Sequence, residues 1–149
     1  MAAGLLRVPE GGGEPYALFR ERVIFPIADA RGRIVGFGGR TLGDGQPKYL
    51  NTPDTELFHK GRLLYGLDRA AEPARRTGRL VVAEGYMDVI ALERAGFPAV
   101  APLGTAMGEE QLLRCWRLVD QPIVRLDGDA AGLRAALRLA ERAAPLLRP

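Results

Sequence analysis

Three carboxylates carry the sharpest chemical signal in the sequence. Glu84 ends the apolar run LVVA and is followed by Gly85, while Asp127 and Asp129 close the run IVRL as Asp-Gly-Asp. In open sheets flanked by helices, ligands bind beyond the carboxyl ends of the strands, where helix N-termini also point. If the two runs are neighbouring strands, the three acids meet at one edge and repel one another unless a cation sits among them. Mg²⁺ suits such a place, since it takes a few carboxylate oxygens and keeps waters and substrate phosphates as its other ligands. Each acid also has a plain structural reading: Glu84 as a cap for the next helix, Asp-Gly as a common turn dipeptide. Their placement at equivalent strand ends favours the metal site.

Other chemistries fit less well. A calcium loop of the EF-hand type wants Asp or Asn at its fifth place and Glu at its twelfth, where this chain has Ala131 and Arg138. A phosphatase of the haloacid-dehalogenase type also sets D-x-D after a strand, with Asp127 as nucleophile, but continues with Thr or Val where Ala131 stands. It remains the enzymatic alternative. The glycines of GFGGR (36–40) are wrongly spaced for a dinucleotide fingerprint. One cysteine, Cys115, and one histidine, His59, exclude a disulfide framework and a zinc site built within this chain.

The acids need elements to position them. From residue 79 the pattern alternates strand and helix: RLVVAEG then YMDVIALERAG stopping at Gly96; AVAPLG then EEQLLRCWRLV; PIVRLD then AAGLRAALRLAERAA. That order predicts a parallel sheet with right-handed crossovers. Leu112, Cys115, Trp116 and Val119 share one helix face, which assigns Cys115 and Trp116 to the core. Arg125 is out of place among the apolar neighbours of a buried strand, and marks an edge or exposed position. Upstream, RVIFPIAD (22–29) and GRIVGFGGRTL (32–42) read as a hairpin turning at Ala30–Arg31–Gly32. Residues 43–62 read as an irregular, turn-rich surface stretch, followed by a short helix in GLDRAAEPARR. GGGEP (11–15) breaks structure, so residues 1–18 read as a linker or loop segment.

Taken together, EGYMDVIAL (84–92) and DGDAAGLRAA (127–136), preceded in order by RVIFPI, GFGGR, PKYLN and FHKG-x-LLYGL, resemble bacterial replicative DNA primases. The resemblance runs from about Phe19 onward. It implies an α/β fold: a parallel-sheet, Rossmann-like toprim subdomain over 79–149, preceded at 19–78 by part of a mixed α+β subdomain of the RNA polymerase core. It also implies RNA primer synthesis on single-stranded DNA by metal-dependent nucleotidyl transfer. Glu84, Asp127 and Asp129 would be the catalytic, metal-binding centre, for Mg²⁺ or Mn²⁺, with Glu84 either ligand or acid/base group. Asp88 would steady the centre from behind, or be an acid favoured by a first helical turn. Arg40, Lys48, Tyr49, Asn51, His59 and Lys60 would line the face that holds template and nucleotide phosphates. Tyr49 would stack on a base or anchor a loop, and a lone His59 is equally at home as a structural residue. Implied partners are single-stranded DNA, ribonucleoside triphosphates, the RNA primer and, through a domain outside this sequence, the replicative helicase. The family's zinc ribbon and its acids beyond the D-x-D helix have no counterpart here. The expectation is therefore a piece of a longer protein, cut at its C-terminal end and weak or inactive alone; a non-catalytic nucleic-acid-binding module is the other reading.

Charge agrees with either. The net charge is +3, with 13 basic and 9 acidic residues in 1–79 against 8 and 9 in 80–149. A basic first half suits a polyanion, although scattered arginines would give the same tally. No apolar run approaches the roughly 20 residues that span a bilayer, and the start lacks a secretory pattern, so a cytoplasmic protein without membrane contact is expected.

Overall fold

A computed structural model describes residues 4–104 and 106–146. Residues 1–3, Thr105 and 147–149, which belong to the expected segments 1–18 and 79–149, lie outside the described residues. The chain forms two compact units, 1–59 and 60–149.

In the first unit, β1 (Leu6–Arg7) pairs antiparallel with β2 (Tyr16–Ala17), Leu6 opposite Ala17. Within the segment 1–18, expected to be a linker or loop, a turn in which Gly12 N–H donates to Pro9 carbonyl folds the chain back on itself. β3 (Arg22–Ala28), β4 (Ile34–Thr41) and β5 (Tyr49–Asn51) make an antiparallel sheet in that order. The expected hairpin is present. Asp29 organises its turn, since one carboxylate oxygen accepts from Arg31 N–H (2.9 Å) and Arg33 N–H (3.0 Å) while the other meets the Arg33 side chain. The Arg33 guanidinium therefore holds the Asp29 carboxyl below its usual range. Phe25 and Ile27 are buried while Ile24 and Pro26 are exposed, the period-two pattern of a half-buried strand. A Cβ on Gly36 would come within 2.4 Å of the Phe58 ring, and one on Gly39 within 2.6 Å of the Phe19 ring. The glycines of GFGGR thus make room for two phenylalanines. The stretch 43–62, expected to be irregular, contains β5, a strand too short to show periodicity. Buried Thr52 fastens its end, its Oγ accepting from Phe37 N–H and donating to Phe37 carbonyl.

The second unit runs β6 (Leu64–Tyr65), α1 (Leu67–Thr77), β7 (Val81–Val82), α2 (Tyr86–Arg94), β8 (Ala99–Pro102), α3 (Glu109–Trp116), β9 (Ile123–Val124), α4 (Ala130–Ala143) and a 3₁₀ turn (Ala144–Leu146). The sheet order is β6-β8-β7-β9. β8, β7 and β9 are parallel, as the alternation predicts, but a fourth strand, β6, joins antiparallel to β8. Residues 60–78 therefore pack with the second unit: β6 completes its sheet, and α1 adds Leu67, Ala70 and Ala74 to its core. That core continues through Leu80, Val82 and Val100 to Leu112, Cys115 and Val119 of the α3 region, with half-buried Trp116 and Leu139 packed against it. Burial pushes the Cys115 thiol up from 9.0 to about 12. Among the described residues no helix is long and apolar enough to cross a membrane.

Candidate metal centre

The sheet order makes the two acid-bearing strands neighbours. Val81 pairs with Ile123 and Val82 with Val124, and Arg125 N–H donates to Val82 carbonyl at 2.9 Å. Glu84 stands two residues past the end of β7 and Asp127 three past the end of β9, both exposed. Asp127 N–H donates to Glu84 Oε2 at 3.2 Å, so the Glu84 carboxylate reaches across the strand ends to the neighbouring acid's backbone. It does not cap α2, whose N-cap is Gly85 and which has no side-chain cap hydrogen bond. The Asp127 carboxylate itself makes no hydrogen bond or ion pair among the described residues.

Asp129 is different. Its Oδ1 accepts from Ala131 N–H (2.9 Å) and Gly132 N–H (2.7 Å), capping α4. The capping reading therefore applies to this acid, with Oδ2 left for another ligand. Gly132, which sequence reasoning missed, explains how α4 begins so close to the strand end. A Cβ there would stand 2.0 Å from the Asp127 carbonyl oxygen, so only glycine lets the helix turn press against that backbone.

Asp88, in the first turn of α2, pairs with Arg125: Nη1 to Oδ1 is 3.1 Å. Both oddities resolve here. β9 is an edge strand with both residues exposed, and Arg125 reaches from its end to the helix beside it. The signal in the sequence was the misplaced arginine; its partner was not legible.

Among the described residues, no group of three or more His, Cys, Asp or Glu stands together as a finished metal cage. What exists is Glu84 hydrogen-bonded to the Asp127 backbone, with Asp129 two residues further along the chain keeping one oxygen outside its cap. These donors are carboxylate oxygens, the chemistry of a hard cation such as Mg²⁺ or Mn²⁺, which accepts one or two protein carboxylates and fills its shell with water and phosphate. The N-termini of α2 and α4 start at the same strand ends and favour anions there.

In the first unit Arg40, Lys48, Tyr49 and Asn51 lie on the β4–β5 ladder. Arg40 pairs with Tyr49 in register and its guanidinium sits 5.9 Å from the ring centroid; Asn51 pairs with Gly38. Lys48 carbonyl accepts from Thr41 N–H, and from Arg22 Nη1 at 3.4 Å, which adds Arg22 to this cationic strip. His59 is exposed at the end of the first unit. Lys60 begins the second, where its carbonyl is held by Gln111 Nε2 at 3.0 Å.

Two family models cover nearly all of the chain: the N-terminal domain of the DNA primase catalytic core matches residues 1–71, and the toprim domain matches 78–148. The DNA primase of Pseudomonas aeruginosa strain PAO1 is 53% identical over 146 residues, covering 97% of this chain and 22% of that protein. The DNA primase of Escherichia coli K12 is 50% identical over 146 residues, covering 97% and 25%. A crystal structure of a DNA primase domain from Pseudomonas aeruginosa superposes with a TM-score of 0.93 at 52% identity, over 99% of this chain and 46% of the other. A DnaG primase catalytic domain bound to single-stranded DNA gives 0.86 at 48% identity, over 97% and 45%. The chain thus spans a quarter or less of these two curated relatives and under half of the two solved chains.

Proposed function

The chain belongs to the DNA primase catalytic-core family, and from that premise we propose that it is the metal-holding part of a primase, which makes RNA primers on single-stranded DNA for replication. The observation that carries this is the hydrogen bond from Asp127 N–H to Glu84, which joins the two strand-end acids. Primer growth is attack of a 3′-hydroxyl on the α-phosphate of an incoming ribonucleoside triphosphate, with pyrophosphate leaving. Glu84, Asp127 and Oδ2 of Asp129 would hold Mg²⁺ or Mn²⁺. When bound, the cation neutralises the phosphates and stabilises the entering and leaving oxygens. Glu84, tied to the Asp127 backbone, is also placed to take or return a proton.

Arg40, Lys48, Asn51, His59 and Lys60 grip phosphates of template and nucleotide without reading bases, and Tyr49 offers a stacking face. A similar primase domain is described bound to single-stranded DNA, which supports this assignment. The RNA primer and the replicative helicase are partners of the longer protein, and its place is the cytoplasm. The division between polymerase-core and toprim subdomains is proposed at 78/79; the toprim match, which begins at residue 78, supports it, although the compact units divide at 59/60. Family membership displaces the haloacid-dehalogenase alternative. The non-catalytic nucleic-acid-binding reading keeps one observation in its favour, the lack of a finished three-ligand cage among the described residues.

The test is a titration of ATP into the chain with and without Mn²⁺. Binding that requires the cation and disappears in Glu84→Gln is the expected outcome. Equal ATP binding without the cation would contradict the assignment.

A further inference from the structure

Four carboxylates follow β7 and β9 in the chain: Glu84, Asp127 and Asp129 in the turns after the strands, and Asp88 in the first turn of α2. Only Asp88 has a cationic partner among the described residues, Arg125 at 3.1 Å. Arg125 follows the last paired residue of an exposed edge strand, two residues before Asp127, where apolar neighbours would serve the strand equally well. As a structural bond this pair has little to offer, since its side chains are 54% and 33% exposed and surface pairs of that kind hold folds together weakly. Its electrostatic consequence is larger. A guanidinium beside Asp88 cancels one negative charge next to the proposed cation and occupies an oxygen that could otherwise turn toward it.

We propose that Arg125 restrains the centre: by pairing with Asp88 it keeps that carboxylate out of the cation's surroundings and sets a weaker, exchangeable hold on the divalent ion. This inference rests on the metal assignment of Glu84, Asp127 and Asp129. Weak hold has a chemical use, because a cation that must bridge to incoming phosphates and leave with pyrophosphate is hindered by surplus carboxylates. Arg125 is then a positioning residue that acts through Asp88.

The experiment is Mn²⁺ binding, read by the free-ion electron paramagnetic resonance signal at low ionic strength, with thermal melts to confirm that each variant folds. Arg125→Ala is expected to bind Mn²⁺ roughly three- to tenfold more tightly, the scale for removing one positive charge several ångströms from a divalent ion in a wet site. Arg125→Lys, which keeps the charge, stays near wild type. Adding Asp88→Asn to Arg125→Ala returns affinity to near wild type. Unchanged or weaker binding in Arg125→Ala would overturn the inference, weaker binding showing that the bridge builds the site. So would a gain that persists in the double variant. A parallel Asp127→Asn sample separates the two layers: Mn²⁺ binding that survives it places the ion elsewhere and removes the metal assignment and this inference together.

Discussion

At the residue scale, position in the strand-end turns decides what each acid does. Glu84 and Asp127 were legible as a pair because each follows a β-rich run and precedes a glycine; what the sequence hid was which acid had a structural duty. Asp129 has one, the cap of α4, and Asn caps a helix about as well as Asp, so Asp129→Asn removes charge without removing the cap. Gly132 could not be valued from sequence, because its role depends on the Asp127 carbonyl oxygen lying 2.0 Å from where its Cβ would be. Gly132→Ala gains about 1 kcal/mol of helix propensity but forces α4 away from Asp127, at about 1–3 kcal/mol in packing strain. The strain wins: the expected result is a lower urea midpoint together with weaker Mn²⁺ binding, and a variant at least as stable as wild type would refute the close-approach argument. Cys115 gives a pH-dependent check. Its pKa is raised from 9.0 to about 12, so the folded state holds the proton more tightly than the unfolded chain. That part of the stability is complete below pH 9 and is lost as pH rises toward 12. Iodoacetamide should leave Cys115 unmodified in the native protein at mildly alkaline pH and alkylate it in urea.

At the element scale, the alternation of short apolar runs with amphipathic helices announced β7, α2, β8, α3, β9 and α4, and also their parallel order. It did not announce β1, β2, β5 or β6. Each is two or three residues long, below the length at which period-two patterning shows, and each exists because a neighbour offers it hydrogen bonds. β6 joins the sheet beyond β8, and the segment leading into it is tethered by one buried side chain. Gln111, 1% exposed, accepts from Gly108 N–H (2.8 Å) and donates to Lys60 carbonyl (3.0 Å) and Leu63 carbonyl (2.6 Å). A glutamine at an ordinary helix position gives no hint of this in the sequence. Gln111→Leu keeps the apolar volume but leaves one N–H and two carbonyls without their partner. The expected cost is about 2–4 kcal/mol in urea unfolding, with the amides of 60–63 losing hydrogen-exchange protection first. A loss below about 0.5 kcal/mol would mean that water replaces the side chain without penalty.

At the scale of the whole molecule, charge alone was a poor guide: a net +3 fits many proteins, and several arginines are paired with the chain's own acids, Arg33 with Asp29, Arg69 with Glu93 and Arg114 with Glu110. Motif order was the better guide, and it agrees with the two family models that divide the chain between them. The neighbour relation of β7 and β9 was the condition on which the metal argument depended, and the sheet order meets it. Whether a cation occupies that edge is the central claim, and paramagnetic broadening tests it most directly. Mn²⁺ added to isotope-labelled protein should first broaden the amide signals of Gly85, Gly128 and Ala130, next to the three acids. The Asp127→Asn, Asp129→Asn pair should abolish that broadening while melting no lower than wild type, since it relieves repulsion and keeps the cap. Broadening that persists in the double variant, or that is centred on other residues, would contradict the account.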